Sequence, residues 1–317
     1  MKSIFSRPVM VGLDIQTNGI HLISLKKSKH TFFINHVAAQ DFGTQPIYEA
    51  GKIKYWDALT SLLADLVKRM DIQGMPASIN LPANLVHMQR IQLPIGISDQ
   101  EIESEIYANN QRDWPSKDRL FLDFSKKLSK ATATDSLEIF FALTYRDYLS
   151  QYIDCVCSAG LQVKVVDVDI YTWVRVVNYI LKKSHDNDRI PFIYKKDQVN
   201  ALIYITLTKI NLVIFHSEII VYQSWDVSES IEDWEQINNK ISALFTSITV
   251  NIYKLMMCGT HRHLSLLVNH LTQSLQVPVC FSNLFTYFKS VDDCDRKYFS
   301  ADFLTACGLA MRENGAW

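Results

Sequence analysis

"VGLDIQTNGIHLISLKK", residues Val11–Lys27, is the stretch on which the reading of this chain turns. From Val9 to Leu25 the apolar residues come close to alternating on either side of Gln16–Gly19. Alternation of that period marks a half-buried strand, and polar residues ending in Gly suit a tight turn, so the segment reads as strand, turn, strand. A second stretch repeats the design: "ALIYITLTKINLVIFHSEIIVYQSW", Ala201–Trp225, gives strand, polar turn at Thr206–Lys209, strand, turn, strand. Two halves that open alike imply two lobes and an internal duplication, carried by pattern rather than by residue identity.

Between and after these openings the spacing turns helical. Leu59, Leu62, Leu63, Leu66, Val67 and Met70 form one stripe, the mark of a helix with a single buried face. Ser98-Asp-Gln-Glu101 is a capping box that starts a helix at Asp99 running to about Asn110, and Trp114-Pro115 stops it. Tyr148, Leu149, Tyr152, Ile153, Val156 and Cys157 mark another helix, closed by Gly160. "VKVVDVD" from Val163 reads as a strand, with Asp167 and Asp169 on one face, a pair that could bind metal but is expected in a hydrogen-bonded structural role, and Tyr171 to about Lys182 as a helix. The polar "KKSHDNDR" that follows is the expected boundary between lobes. Ile237, Ile241, Leu244, Phe245, Ile248, Ile252, Leu255 and Met256 set out one long helix, and Leu264, Leu267 and Leu271 a shorter one. Strands alternating with helices define an α/β protein.

Composition narrows the functional classes. With Lys plus Arg at 32 against Asp plus Glu at 33, there is no surplus of positive charge to neutralise a phosphate backbone, so nucleic acid is not the expected partner. Asp14 interrupts the first apolar run, and Ala201–Tyr222 contains Lys209, Asn211 and His216; neither reads as a membrane span. Six cysteines without a C-x-x-C pair read as reduced thiols of a cytosolic protein. Cys258-Gly-Thr-His261-Arg-His263 lacks the fourth ligand and spacing of a closed zinc site and reads as a polar loop, so no metal is expected. Only 10 glycines occur, below the usual ~7%, and none sits in G-x-x-x-x-G-K or G-x-G-x-x-G; phosphate-cradling loops of those kinds are absent.

The blocks "VGLDIQTNGIHLISL", "ASINLPANLVHMQRIQLPIGISDQEIESEIYAN", "LFLDF", "FFALTYRDYLSQYIDCVCSAGLQVKVVDVD" and "FLTACGLAMRE", in this order and spacing, resemble the PilM family of type IV pilus assembly over nearly the whole chain. The resemblance implies a two-lobed actin-like (ribonuclease-H-like) fold. Lobe 1 would span 1–183, with its core at 8–83 and 162–183 and a small inserted α/β subdomain at 84–161; lobe 2 would span 184–317 with a shortened upper subdomain. It implies a cytoplasmic protein, peripheral to the inner membrane through its partner, binding the N-terminal tail of a PilN-like inner-membrane protein between lobe 1 and the insert, alongside other pilus assembly proteins. The matching region, from Asn80 to Trp114 and Leu120 to Phe124, offers Leu93, Tyr107, Trp114 and Phe124 as anchors.

Many proteins of this family hold ATP between the lobes, and here the resemblance shows where this chain departs. The first phosphate loop of the family is similar to Asp-Ile-Gly-Ser-Ser-x-x-Lys; Asp14, Ile15, Thr17, Asn18 and Gly19 are compatible with it, but Gln16 stands for the first Gly and His21 for the Lys. A side chain at Gln16 crowds the phosphate approach, and a mostly neutral His21 supplies little charge. The second loop has Tyr204-Ile205-Thr206 in place of Asp-Ile-Gly, removing a carboxylate that magnesium chemistry wants. Cys258-Gly259-Thr260 stands for the paired glycines of the adenosine end, and "DVSESIEDWEQ" leaves no room for the upper helical subdomain. The expectation is a pseudo-ATPase with a vestigial cleft at Asp14, Gln16, Thr17, Asn18, Gly19, Thr206 and Gly259: no cofactor, ATP and magnesium at most weakly held, no catalytic residue, and function in protein binding. The alternatives are an active actin-like ATPase or filament former, and the related cytoplasmic domain of the type II secretion protein GspL, which continues into a membrane span that does not follow "AMRENGAW" here.

Overall fold

A computed structural model describes residues 10–29, 31–45, 47–49, 52–110, 116–129, 136–187, 198–206, 208–216, 219–226, 231–247, 251–259, 264–275, 277, 279–281, 287–290 and 300–312. In chain order the first half contains β1 (Met10–Ile15), β2 (Gly19–Ser28), β3 (Thr31–Asp41), the short pair β4 (Tyr48–Glu49) and β5 (Lys52–Ile53), α1 (Trp56–Arg69), β6 (Pro76–Leu81), β7 (His87–Pro94), α2 (Asp99–Asn110), β8 (Leu120–Ser129), β9 (Ser136–Tyr145), α3 (Arg146–Ser158), β10 (Gln162–Val168) and α4 (Asp169–Asn187). The second half contains β11 (Val199–Ile205), β12 (Lys209–Phe215), β13 (Ile219–Asp226), α5 (Ile231–Ser247), β14 (Ile252–Gly259), α6 (Leu264–Ser274), β15 (Val279–Phe281), β16 (Lys289–Ser290) and α7 (Leu304–Ala310).

Both expected hairpins form, with Asp14 opposite His21 in the first and Tyr204 opposite Asn211 in the second. Each opens a sheet of the same plan. The first runs β10-β6-β1-β2-β3-β16 and the second β13-β12-β11-β14-β15. In both, three antiparallel strands are followed by two strands that pair in parallel on the far side of the first. Numbered within its lobe, each sheet has the order 3-2-1-4-5, so the duplication implied by the pattern is present in the topology, and the fold is the two-lobed actin-like one. Helices α4 and α7 join the lobes: one buried cluster combines Ile23, Leu25 and Phe32 of the first sheet, Trp173 and Val177 of α4, Ala306 of α7, and Leu202, Tyr204 and Phe215 of the second sheet. Helix α7 comes so close to β1 that a Cβ on Gly12 would sit 2.0 Å from the Ala306 carbonyl oxygen.

The capping box forms: the Ser98 hydroxyl (2.7 Å) and N–H (2.9 Å) both donate to Glu101 Oε2 and hold its carboxyl below the usual range, while the Glu101 N–H donates back to Ser98 Oγ (3.4 Å). The helix it starts, α2, lies on the three-stranded antiparallel sheet β7-β9-β8 and buries Ile102 and Ile106 there.

Four expectations are corrected. The long helix through Met256 is two elements, α5 ending at Ser247 and β14 from Ile252; β14 lies between β11 and β15, and its near-continuous apolar run matches helical spacing as easily as strand spacing. Helix α3, assigned to the insert, buries Leu149, Tyr152, Cys155 and Val156 with α1 in the core of the first sheet. Helix α4 begins at Asp169, so Asp167 and Asp169 do not share a strand, and it continues to Asn187 through most of the polar stretch read as a boundary. Finally, β16 pairs with β3, and α7 packs on β1, so these late segments return to the first sheet rather than completing the second lobe.

Candidate functional site

The two hairpin tips face the region between the lobes. At the first, the Gln16 N–H donates to the Gly19 carbonyl (2.8 Å), while Thr17 and Asn18 are exposed and the Asn18 carbonyl accepts the Phe42 N–H (3.0 Å). The Gln16 side chain folds inward: Nε2 donates to Asp14 Oδ2 (2.8 Å) and to the Asp302 carbonyl (3.0 Å). Asp14 is buried, and burial raises its carboxyl pKa against the opposing pull of Gln16, His21 and Thr305. His21 is buried with its ring edge-on to Phe303 (centroids 5.0 Å). Across the interface Tyr204 is buried edge-on to Trp173 (5.2 Å), whose Nε1 donates to Thr305 Oγ1 (2.9 Å). Burial drives the Tyr204 phenol pKa well up, with the Gln16 side chain opposing the rise.

At the second tip Thr206 closes its turn with Lys209, donating N–H to the Lys209 carbonyl (2.9 Å) and accepting the Lys209 N–H on Oγ1 (3.0 Å). Gly19 and Gly259 are accounted for by close backbone approach: a Cβ would sit 2.7 Å from the Gln40 carbonyl oxygen and 2.3 Å from that of Ile205. The structure thus brings together Asp14 and Gln16 with Tyr204 near them, leaves Thr17, Asn18 and Thr206 on turn tips, and packs both glycines against neighbouring strands. Magnesium at a phosphate takes hard oxygen donors, usually one or two carboxylates together with water and the phosphate itself. One lobe brings the Asp14 carboxylate, tied to the Gln16 amide, and the other the Tyr204 phenol.

The second feature is a cavity of about 760 Å³ between the inserted sheet and the first lobe. Its outer wall is the face of β7-β9-β8 turned away from α2, carrying Met88, Phe121, Phe140 and Ala142; its inner wall is β10 from Lys164 to Val168 with Tyr171 and Val174 of α4. Phe140 packs edge-on against Tyr171 across this gap (5.9 Å). Among the described residues, strand β10 is the edge of the six-stranded sheet and pairs with β6 alone. The groove therefore sets an unpaired strand edge opposite apolar side chains, the arrangement that takes an extended segment through main-chain hydrogen bonds and alternate side-chain pockets.

The expected anchors do not line it. Leu93, Tyr107 and Phe124 pack with Ile102, Ile106 and Phe141 in the core between α2 and the sheet, and Trp114 lies outside the described residues. Side chains alternate along a strand, so the right strand with the wrong parity gives the wrong face. A signal was present in "EIFFAL": Ile139 and Phe141 go to the α2 side, Phe140 and Ala142 to the groove.

At the floor of the groove Asp167 Oδ2 accepts from Arg175 Nη2 (2.7 Å) and Arg312 Nη1 (2.8 Å), while Arg175 Nη1 donates to the Gly308 carbonyl (2.6 Å). Asp169 Oδ1 accepts the Ile170 N–H (2.7 Å) and the Ala83 N–H (3.1 Å), tying α4 to the turn that leads into β7. Both carboxylates are structural ties, as expected, although each acts separately. Among the described residues no three His, Cys, Asp or Glu side chains are grouped to hold a metal, and no helix is long and apolar enough to cross a membrane. His261 and His263 lie outside the described residues.

Two 3-2-1-4-5 sheets joined by two helices, with a small sheet walling a groove on the first lobe, define an actin-like protein with an inserted subdomain. A sequence profile of the family described as type IV pilus assembly protein PilM matches residues 12–226, and the chain belongs to that family, with a role in type IV pilus assembly. Its structure is similar to that of a PilM-PilN type IV pilus biogenesis complex, at a TM-score of 0.75 and 16% identity over 96% of this chain and 98% of that one. Weaker likenesses are to the cytoplasmic domain of EpsL, an inner-membrane component of the type II secretion system of Vibrio cholerae (TM-score 0.47, 10% identity, 96% of each chain), and to a Bacteroides thetaiotaomicron protein with an actin-like ATPase fold (TM-score 0.43, 12% identity, 87% of this chain and 91% of that one).

Proposed function

We propose that this chain serves pilus assembly as a scaffold at the cytoplasmic face of the inner membrane, holding the N-terminal tail of a PilN-like membrane protein in the groove, without ATP turnover. The observation that carries the reading is the free edge of β10 facing Phe140, Met88 and Ala142 across a cavity of about 760 Å³. A tail lying there extends the first sheet by a strand and buries alternate side chains against the inserted sheet. The nucleotide half of the proposal is supported by Gln16, whose amide takes the Asp14 carboxylate, and by Tyr204 in the place of a second acid.

Calorimetric titration of the intact chain with a synthetic tail peptide of the co-encoded PilN-like protein, and separately with Mg-ATP, tests both halves. Heat from the peptide and none from ATP is expected. A silent peptide overturns the scaffold reading; saturable ATP binding followed by phosphate release overturns the pseudo-ATPase reading.

A further inference from the structure

The two lobes meet over α4 and α7, and in a protein of two hinged bodies the angle between them is commonly set by what lies in the cleft. Here that place is taken by side chains of the chain itself. Gln16, at the tip of the first hairpin, donates from Nε2 both to Asp14 Oδ2 (2.8 Å) and to the Asp302 carbonyl (3.0 Å). Asp302 lies in the turn Ala301–Phe303, which touches β2 of the first sheet and β14 of the second. From the second lobe Tyr204 reaches the same point: its phenol stands beside the Gln16 side chain, and its ring packs edge-on against Trp173 of α4 (5.2 Å). Trp173 Nε1 donates to Thr305 Oγ1 of α7 (2.9 Å), and the Thr305 side chain in turn meets the Asp14 carboxyl. The path therefore closes on itself, from the first hairpin through α7 and α4 to the second lobe and back. Asp14, Trp173, Tyr204 and Thr305 are all buried, and in such surroundings each polar member depends on the others, so the network forms or breaks as a unit.

We infer that Gln16 and Tyr204 form an internal latch that holds the two lobes at one angle with nothing bound between them. The inference deepens the reading of an inactive cleft by naming what the cleft does instead, and it stands on the contacts themselves. Gln16 is the keystone because its amide meets the first hairpin, the turn before α7 and the second lobe at once. A glycine at this position offers no side chain to span them, and an apolar side chain of the same length offers no donor.

The test is amide hydrogen exchange, read by mass spectrometry on the full chain, for Gln16→Met, Tyr204→Phe and the double variant. Gln16→Met keeps the length of the side chain without its amide, and Tyr204→Phe keeps the ring on Trp173 without its hydroxyl. Either single change is expected to speed exchange about tenfold in peptides spanning 203–206 and 301–306, while α1, α3 and the circular dichroism spectrum stay unchanged. The double variant is expected to exchange no faster than the faster single, since both groups act in one network, and to have a larger radius of gyration in small-angle scattering. Unchanged exchange at both segments, single effects that multiply in the double variant, or an unchanged radius of gyration overturns the latch. Tyr204→Phe decides the matter by itself if Gln16→Met disturbs the whole fold. Repeating the exchange of the unaltered chain with Mg-ATP separates the two readings: protection gained there overturns the inactive cleft, while the comparison of variants still decides the latch.

Discussion

Replacing Asp169 with Asn is expected to change how the stability of this protein depends on pH, in a direction fixed by the carboxylate's surroundings. Burial raises the Asp169 carboxyl from the ordinary 3.8 to about 7, with Asp14 and Asp167 adding to the rise and the amides of Ile170 and Ala83 opposing it. A raised acid binds its proton more tightly folded than unfolded. Its stabilising contribution is therefore fully present below the unfolded value and is lost as pH climbs toward the folded one. The full displacement is worth roughly 4 kcal/mol at ~1.4 kcal/mol per pH unit, and between pH 5 and 7, where the folded group is half titrated at the upper end, the loss is roughly 2 kcal/mol. Asp169 keeps part of its surface open to solvent, which screens the charge, so about half of that loss is expected.

Asn at this position keeps an oxygen for the Ala83 and Ile170 amides and carries no proton equilibrium. Urea unfolding of both proteins at pH 5, 6, 7 and 8, followed by tryptophan fluorescence, measures the difference between them. That difference should move in favour of Asp169→Asn by about 1 kcal/mol from pH 5 to 7 and level off above. A difference that stays flat across the range would mean that Asp169 ionises as freely in the fold as in the open chain, and the burial argument fails.

Changing Phe140 to Asp should weaken tail-peptide binding more than about a hundredfold while leaving the circular dichroism spectrum intact, because Phe140 faces the groove rather than the α2 core. Leu93→Ala should do the reverse, costing roughly 2 kcal/mol of stability in the inserted subdomain with a small effect on peptide affinity. Gly308→Ala should destabilise by roughly 3 kcal/mol or more in thermal unfolding, since a Cβ there would meet the Thr172 carbonyl oxygen at 2.2 Å. Gln16→Gly alone should leave Mg-ATP titrations silent, because Tyr204 still stands where the second lobe would supply an acid.

Much of the fold is legible from local pattern. The hairpins at Val11 and Ala201 read correctly because turn residues punctuate their short apolar runs, although β1 and β11 are buried on both faces, and the capping box at Ser98 is a signal confined to four positions. What depends on distant partners was not legible. Strand β14 has both faces covered, so nothing in its own residues separates it from a helix. The return of α7 to the first sheet is set by Gly12 and Ala306 meeting across nearly the whole chain, and that of β16 by its pairing with β3. In the groove the strands were found and the faces were not, because choosing between Phe140 and Phe141 requires knowing which side α2 covers. The cleft was legible as a set of departures, Gln16, His21 and Tyr204, but the inward fold of the Gln16 amide depends on Asp302, which no pattern near residue 16 announces.

The seating of α7 on Gly12 also orders events during synthesis. Strand β1 is among the first segments to leave the ribosome, yet the helix that covers one of its faces is among the last described. Until residues near 306 emerge, that face of the first sheet lacks its native cover, so the two lobes cannot close over α4 and α7 before then. A ribosome paused in the second lobe holds a chain with an open apolar seam. Chaperone contact should concentrate on nascent chains that have completed β1 but not α7.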